Sequence, residues 1–155
     1  MTCKTTQRIL PFTEVKIACY IRVSTQRQAV EGDSLEAQEN AIRRHIESQK
    51  AIQGWTEVVV TIFNEPGKSA QSMKRPVLQK MLDGVRAGEF THVIAHKLDR
   101  VTRSLRDFRE IRDLLEKHHT ALVLVEDNFE SGDPRSQAIY RLMEIFAEFE
   151  RSRDV

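Results

Sequence analysis

The chain has 155 residues, enough for one ordinary domain that buries a core without disulfides or metal. Its 40% hydrophobic and 30% charged residues are those of a globular protein rather than a disordered one, and no apolar run approaches the roughly 20 residues that span a bilayer. A net charge of +1 does not announce a nucleic-acid binder, so any basic surface must come from where Lys and Arg are placed.

The first residues lack a sustained apolar segment with a small-residue cleavage site, and residues 1–14 read as a flexible tail. Cys3 in that tail and Cys19 in an apolar run make no disulfide framework, which points to a reducing compartment, the cytoplasm by default. From Val15 to Val23 the run is rich in β-branched residues and both alternating sets contain apolar side chains, the pattern of a strand covered on both faces. It ends on "YIRVSTQRQ", which brings Arg22 and Ser24 to its end. Asp33 or Ser34 then caps a helix, with Glu36 as a capping-box partner and Leu35, Ile42 and Ile46 on one face.

Val58–Phe63 reads as a second strand, followed by a long loop over "NEPGKSAQSMKR". "PGKSA" looks like a phosphate-loop ending, but the required earlier glycine is Ile62. Pro76 opens a helix with Leu78, Met81, Leu82 and Val85 inward and Gly88 as its stop. "HVIAH" is a short third strand running into "KLDRVTR". Ser104 and Asp107 cap a third helix with Leu105, Phe108, Ile111 and Leu115 inward, ending near His118, and "ALVLVE" is strand four.

The alternation predicts an α/β fold: a mainly parallel, doubly wound central sheet of four to five strands with helices on both faces, plus a long C-terminal helix. That last segment is apolar at Ile139, Leu142, Met143, Ile145, Phe146 and Phe149, too broad for one contact face. It should touch its own sheet and a homodimer partner, and without a stop signal it reads as the start of a longer helix.

In such a sheet, ligands bind beyond the carboxyl ends of the strands. Of four places rich in phosphate-binding or hydroxyl groups, Arg22 with Ser24, Arg75, Asp99 with Arg100, and Arg103, three belong to predicted strand or helix ends, so all can converge there. Arginine recognises phosphate oxygens through a planar fork of donors and stabilises charge developing on a diester, and a serine among arginines is a candidate nucleophile. Each signal alone has a plainer meaning: a strand-end hydroxyl bonded to backbone, or a surface ion pair. His96 is more often structural at such a place than a base, and His92, His118 and His119 show no metal-ligand spacing.

Five pieces in order, "YIRVSTQRQ", "DSLEAQ", "KRPVLQKML", "AHKLDRVTRS" and "FAEFER", resemble the catalytic domain of serine recombinases, the resolvase and invertase family, from about Lys16 to Arg151. The longer loops are more similar to those of large serine integrases and transposases of mobile elements. The resemblance implies a resolvase-like catalytic domain over 15–133 and a dimerisation helix starting over 134–155, with C-terminal DNA-binding regions elsewhere. It implies that Ser24 attacks the scissile phosphate of double-stranded DNA at a recombination site, giving a 5′-phosphoserine bond and a free 3′ hydroxyl, and that Arg22, Arg75, Arg100 and Arg103 hold that phosphate. Asp99 would move a proton or, the favoured role, orient an arginine. Gln28 and Gln38 would support the site, Tyr20 would stand beside it, and Glu150 with Arg151 would serve assembly into dimers and a synaptic tetramer. No metal or cofactor is expected. Two rivals remain: a metal-dependent nuclease using Glu65 and Asp99, and a non-catalytic receiver-like dimerisation module, which would want an acidic pocket at the end of strand one.

Overall fold

In the computed structural model, residues 14–23, 34–66 and 73–153 are described. Strand β1 spans Glu14–Val23, helix α1 Leu35–Gln53, β2 Glu57–Pro66, α2 Pro76–Arg86, β3 His92–Ala95, α3 Leu98–Val101, α4 Leu105–Lys117, β4 Ala121–Leu124, β5 Phe129–Glu130 and α5 Pro134–Arg153. The sheet order is β2-β1-β3-β4-β5, parallel except for the antiparallel β4–β5 pair. This is the expected α/β architecture. β1 starts at Glu14, one residue inside the expected tail. Among the described residues, no helix is long and apolar enough to cross a membrane.

The alternation of β1 distributes two cores. Val15, Ile17, Cys19 and Ile21 face α1 and its Ile42 and Ile46, while Ala18 and Tyr20 face the layer of α2, α4 and α5. The Cys19 thiol is pushed up to about 12, chiefly by burial, with Arg43 pulling it down and Glu39 up. It is a packing group rather than a nucleophile.

Local chemistry sets most helix ends. Ser34 caps α1 by accepting from Ala37 N at 3.1 Å, and Ser104 caps α4 by accepting from Asp107 N at 3.3 Å. Gly54 closes α1 with φ +70°, and Gly88 follows α2 with φ +74°, conformations that suit glycine. Two expectations change. β2 runs on through Asn64, Glu65 and Pro66, because their partner residues Ile21, Arg22 and Val23 extend β1 equally far. The segment "LDRV" forms the separate one-turn helix α3.

The last helix leaves more surface open than its pattern implied. Tyr140 is buried against Phe108, with ring centroids 5.0 Å apart, and lies under the Arg112 guanidinium at 4.1 Å. Ile139, Leu142, Ile145, Phe146 and Phe149 are all more than half exposed. The helix packs on α4 through Tyr140 rather than through the apolar positions singled out in the sequence.

Burial lowers the pKa of His92, which lies beside Trp55, and of His45, where Glu130 pulls the other way. The unfolded chain therefore binds protons below about pH 6.5 that the folded chain resists, and stability is lost as pH falls through that value. The urea midpoint should be lower at about pH 5.5 than at about pH 7.5, and His92→Gln should shrink the difference; an unchanged difference would rule His92 out as its source.

Candidate active site

The parallel strands β1, β2 and β3 bring their carboxyl ends to one edge, and the polar cluster forms there. Arg22 stands opposite Glu65 in the β1–β2 register, on the same face as Tyr20, while β3 has already ended at Ala95, opposite Tyr20. Gln38 of α1 takes over where β3 stops: its Oε1 accepts from Arg22 N at 3.2 Å and its Nε2 donates to Arg22 O at 2.9 Å. One buried amide thus does for Arg22 what a neighbouring strand would do.

Arg22, Arg75 and Arg100 are 2%, 1% and 1% exposed. Arg22 donates from Nε to Arg100 O at 3.2 Å and from Nη2 to Asp99 O at 3.0 Å. Arg75 donates from Nη2 to Val101 O and from Nη1 to the Tyr20 hydroxyl at 3.0 Å, its guanidinium 5.6 Å from the centre of the Tyr20 ring. The carbonyls of α3 are therefore acceptors that seat two of the three guanidinium groups. The Asp99 carboxylate is 3.7 Å from Arg100 Nε.

Glu65 completes this layer. It is buried, accepts from Tyr20 Oη at 3.2 Å, and receives Leu78 N at 2.9 Å and Val77 N at 3.2 Å at the start of α2. The residue before that helix, Arg75, makes no side-chain cap, so a carboxylate from β2 supplies it and sits at the positive end of the helix dipole. Tyr20 is raised above its ordinary pKa by burial, opposed by Arg75 and reinforced by Glu65, so it stays protonated and links the two. Glu65 was weighed in the sequence only as a metal ligand. Glu65 is 12 residues from Val77 in sequence, so no local capping rule signals this role.

Arg75, Arg100 and Arg103 all act on Arg22. Arg22 is lowered from its ordinary pKa by burial first, then by Arg75, with Tyr20 opposing and Arg100 and Arg103 adding further repulsion. All four arginines singled out in the sequence thus lie within electrostatic reach of one place. Arg103 is exposed, and with Lys97 and Asp99 it borders a groove of about 690 Å³ whose far wall is Met143, Phe146, Ala147 and Glu150 of α5. Phe146, Phe149 and Glu150 are exposed on that helix, and Arg151 belongs to the same helix. Ser24 follows the last residue of β1 in sequence; Ser24 and Gln28 lie outside the described residues.

Residues 17–153 match the family model "Resolvase, N terminal domain". The chain belongs to the resolvase N-terminal domain family. Its fold is similar to that of the N-terminal catalytic domain of TP901-1 integrase, with TM-score 0.74 and 28% identity over 90% of this chain and 99% of that one. A resolvase family site-specific recombinase from Streptococcus pneumoniae is similar with TM-score 0.67 and 27% identity, over 90% of this chain and 89% of that one. In sequence, the Transposon Tn917 resolvase of Enterococcus faecalis is 31% identical over 90 residues, 58% of this chain and 47% of that protein. The resolvase domain spans a quarter of the length of one relative, a Bacillus subtilis protein named for DNA recombination, and about half of the Tn917 resolvase. The expected likeness to serine integrases agrees with the first of these structures.

Replacing Glu65 with Ala strands the Tyr20 hydroxyl and two backbone N–H groups in a buried place. It should lower unfolding free energy by about 3 kcal/mol, measured by urea denaturation; a loss within experimental error would contradict the capping role.

Proposed function

We propose that this resolvase domain catalyses site-specific DNA recombination by serine transesterification, with Ser24 as nucleophile. The observation that carries this reading is the convergence of Arg22, Arg75 and Arg100, with Arg103 at the rim, on the edge where the strand leading to Ser24 ends. Ser24 Oγ attacks the scissile phosphorus and loses its proton. The bond to the 3′ oxygen breaks, the 3′ oxygen leaves as a hydroxyl, and the 5′ phosphate remains on the serine. Attack by a different 3′ hydroxyl on that phosphoserine bond reverses the step and joins new partners, so no ATP is needed. Clustered guanidinium groups stabilise the charge that builds on the phosphate oxygens in both directions. Asp99 fits an arginine-orienting role through its carbonyl bond to Arg22 and its carboxylate beside Arg100. Gln38 and Tyr20 hold Arg22 and Arg75 in place.

The metal-nuclease alternative has weaker support, because both Glu65 oxygens accept hydrogen bonds from Tyr20 and the start of α2. Among the described residues, no group of three or more His, Cys, Asp or Glu is arranged to hold a metal. A receiver-like module would want acidic groups at the end of β1, where Arg22 lies.

The working unit in this reading is a catalytic body over 15–133 and the helix over 134–155, acting on double-stranded DNA as a homodimer that pairs into a tetramer. The names of the matched recombinases and resolvase support the substrate, and the apolar residues left open on α5 support self-association.

The chain with its natural flanking segments, incubated in chelator with plasmid carrying the genomic segment around its own coding region, should become covalently joined to 5′ DNA ends. Ser24→Ala should abolish the adduct; an adduct that survives it, or cutting that requires a divalent ion, would overturn the mechanism. Phe146→Asp should lower the self-association measured by analytical ultracentrifugation at least tenfold, taking about 1.4 kcal/mol or more from the contact. Unchanged association would remove this part of α5 from the interface.

A further inference from the structure

Helix α3 is a single turn, too short to hold itself together, yet its carbonyls seat the guanidinium groups of Arg22 and Arg75. Leu98 and Val101 pack it on the core, and the groups at its two ends fix how its carbonyls are presented. The carboxyl end is met by the two arginines. At the amino end the capping position is Lys97, whose side chain makes no capping bond. The cap comes instead from 29 residues further on: Asp127 Oδ2 accepts from Leu98 N at 2.7 Å.

Asp127 lies in the tight turn between β4 and β5, and that turn is clamped to the segment before α3. Val125 N donates to Ala95 O at 3.1 Å and Glu126 N donates to His96 O at 2.7 Å, while the Glu126 carboxylate is 3.2 Å from His96 Nε2. Along this short helix the charges follow the dipole, with a carboxylate at the amino end and two guanidinium groups at the carboxyl end. The same device recurs at α2, where Glu65 caps a helix whose own capping position is Arg75.

We propose that Asp127 is a positioning residue for the chemistry of this site: by capping α3 from the β4–β5 turn, it fixes the carbonyls that hold Arg22 and Arg75. The inference rests on the recombinase reading for the chemistry it serves, and on geometry alone for the cap. Direct contact with DNA is not its role. A carboxylate repels phosphate, so its effect runs through α3. Because Asp127 is exposed, its replacement leaves the core intact.

The test compares the parent, Asp127→Ala and Asp127→Asn in the chain with its natural flanking segments. Asparagine caps helices about as well as aspartate, whereas alanine does not. In Asp127→Ala, hydrogen exchange of the backbone over 98–102 should accelerate about fivefold, the size of one lost cap. Adduct formation on the same plasmid should slow by at least that factor, while DNA affinity stays within about twofold and exchange in β1 is unchanged. Asp127→Asn should restore both exchange and rate.

Exchange or adduct rate unchanged in Asp127→Ala would overturn the proposal, and so would equal losses in the two variants, which would show that charge and not capping matters. If the parent forms no Ser24-dependent adduct, the recombinase reading fails separately. The exchange contrast between alanine and asparagine then still decides whether Asp127 holds α3.

Discussion

Burying a guanidinium group is costly unless oxygen acceptors replace the water it leaves, and at the carboxyl end of this sheet three such groups are buried together. Backbone carbonyls of α3 and the hydroxyl of Tyr20 provide acceptors for Arg22 and Arg75. Much of the local architecture follows from this requirement. β2 runs on to Glu65, Tyr20 joins that carboxylate to Arg75, and Gln38 completes β1 beyond the end of β3. Backbone carbonyls and a hydroxyl thus help seat Arg22 and Arg75, while the Asp99 carboxylate stands beside Arg100.

Periodicity and local capping made the sheet and its helices legible. Alternation along Val15–Val23, the i, i+3, i+4 stripes, and the serine caps at Ser34 and Ser104 all have causes within a few residues of chain. The arginines were legible because a parallel sheet gathers its strand ends on one edge, whatever the details of packing. The Glu65 and Asp127 caps were not, because each acts on a helix remote from it in sequence, and the residues at those capping positions, Arg75 and Lys97, cannot cap. No rule based on neighbouring residues finds them.

Helix α5 shows the opposite limit. A hydrophobic pattern counts apolar residues but does not say which of them meet the molecule's own core. Tyr140, half polar and absent from the apolar set, makes the anchoring contact because Phe108 and Arg112 offer it a ring and a cation. The aliphatic and phenyl groups around it are left outward. An unexpectedly open helix face was therefore hidden behind a correctly placed helix.

The two-sided burial of β1 has an evolutionary consequence. Odd-numbered positions belong to the core beneath α1 and even-numbered ones, through Tyr20, to the opposite core, so the strand is written in a two-residue frame with no slack. Deleting or inserting a single residue upstream of Tyr20 would exchange the faces, drive Tyr20 and Arg22 toward Ile42 and Ile46, and part Arg22 from the carbonyls of α3. Substitutions along this strand can be accommodated one at a time; a change in its length cannot. Descendants of this sequence that keep the site should vary freely in their loops while holding the length of this strand constant.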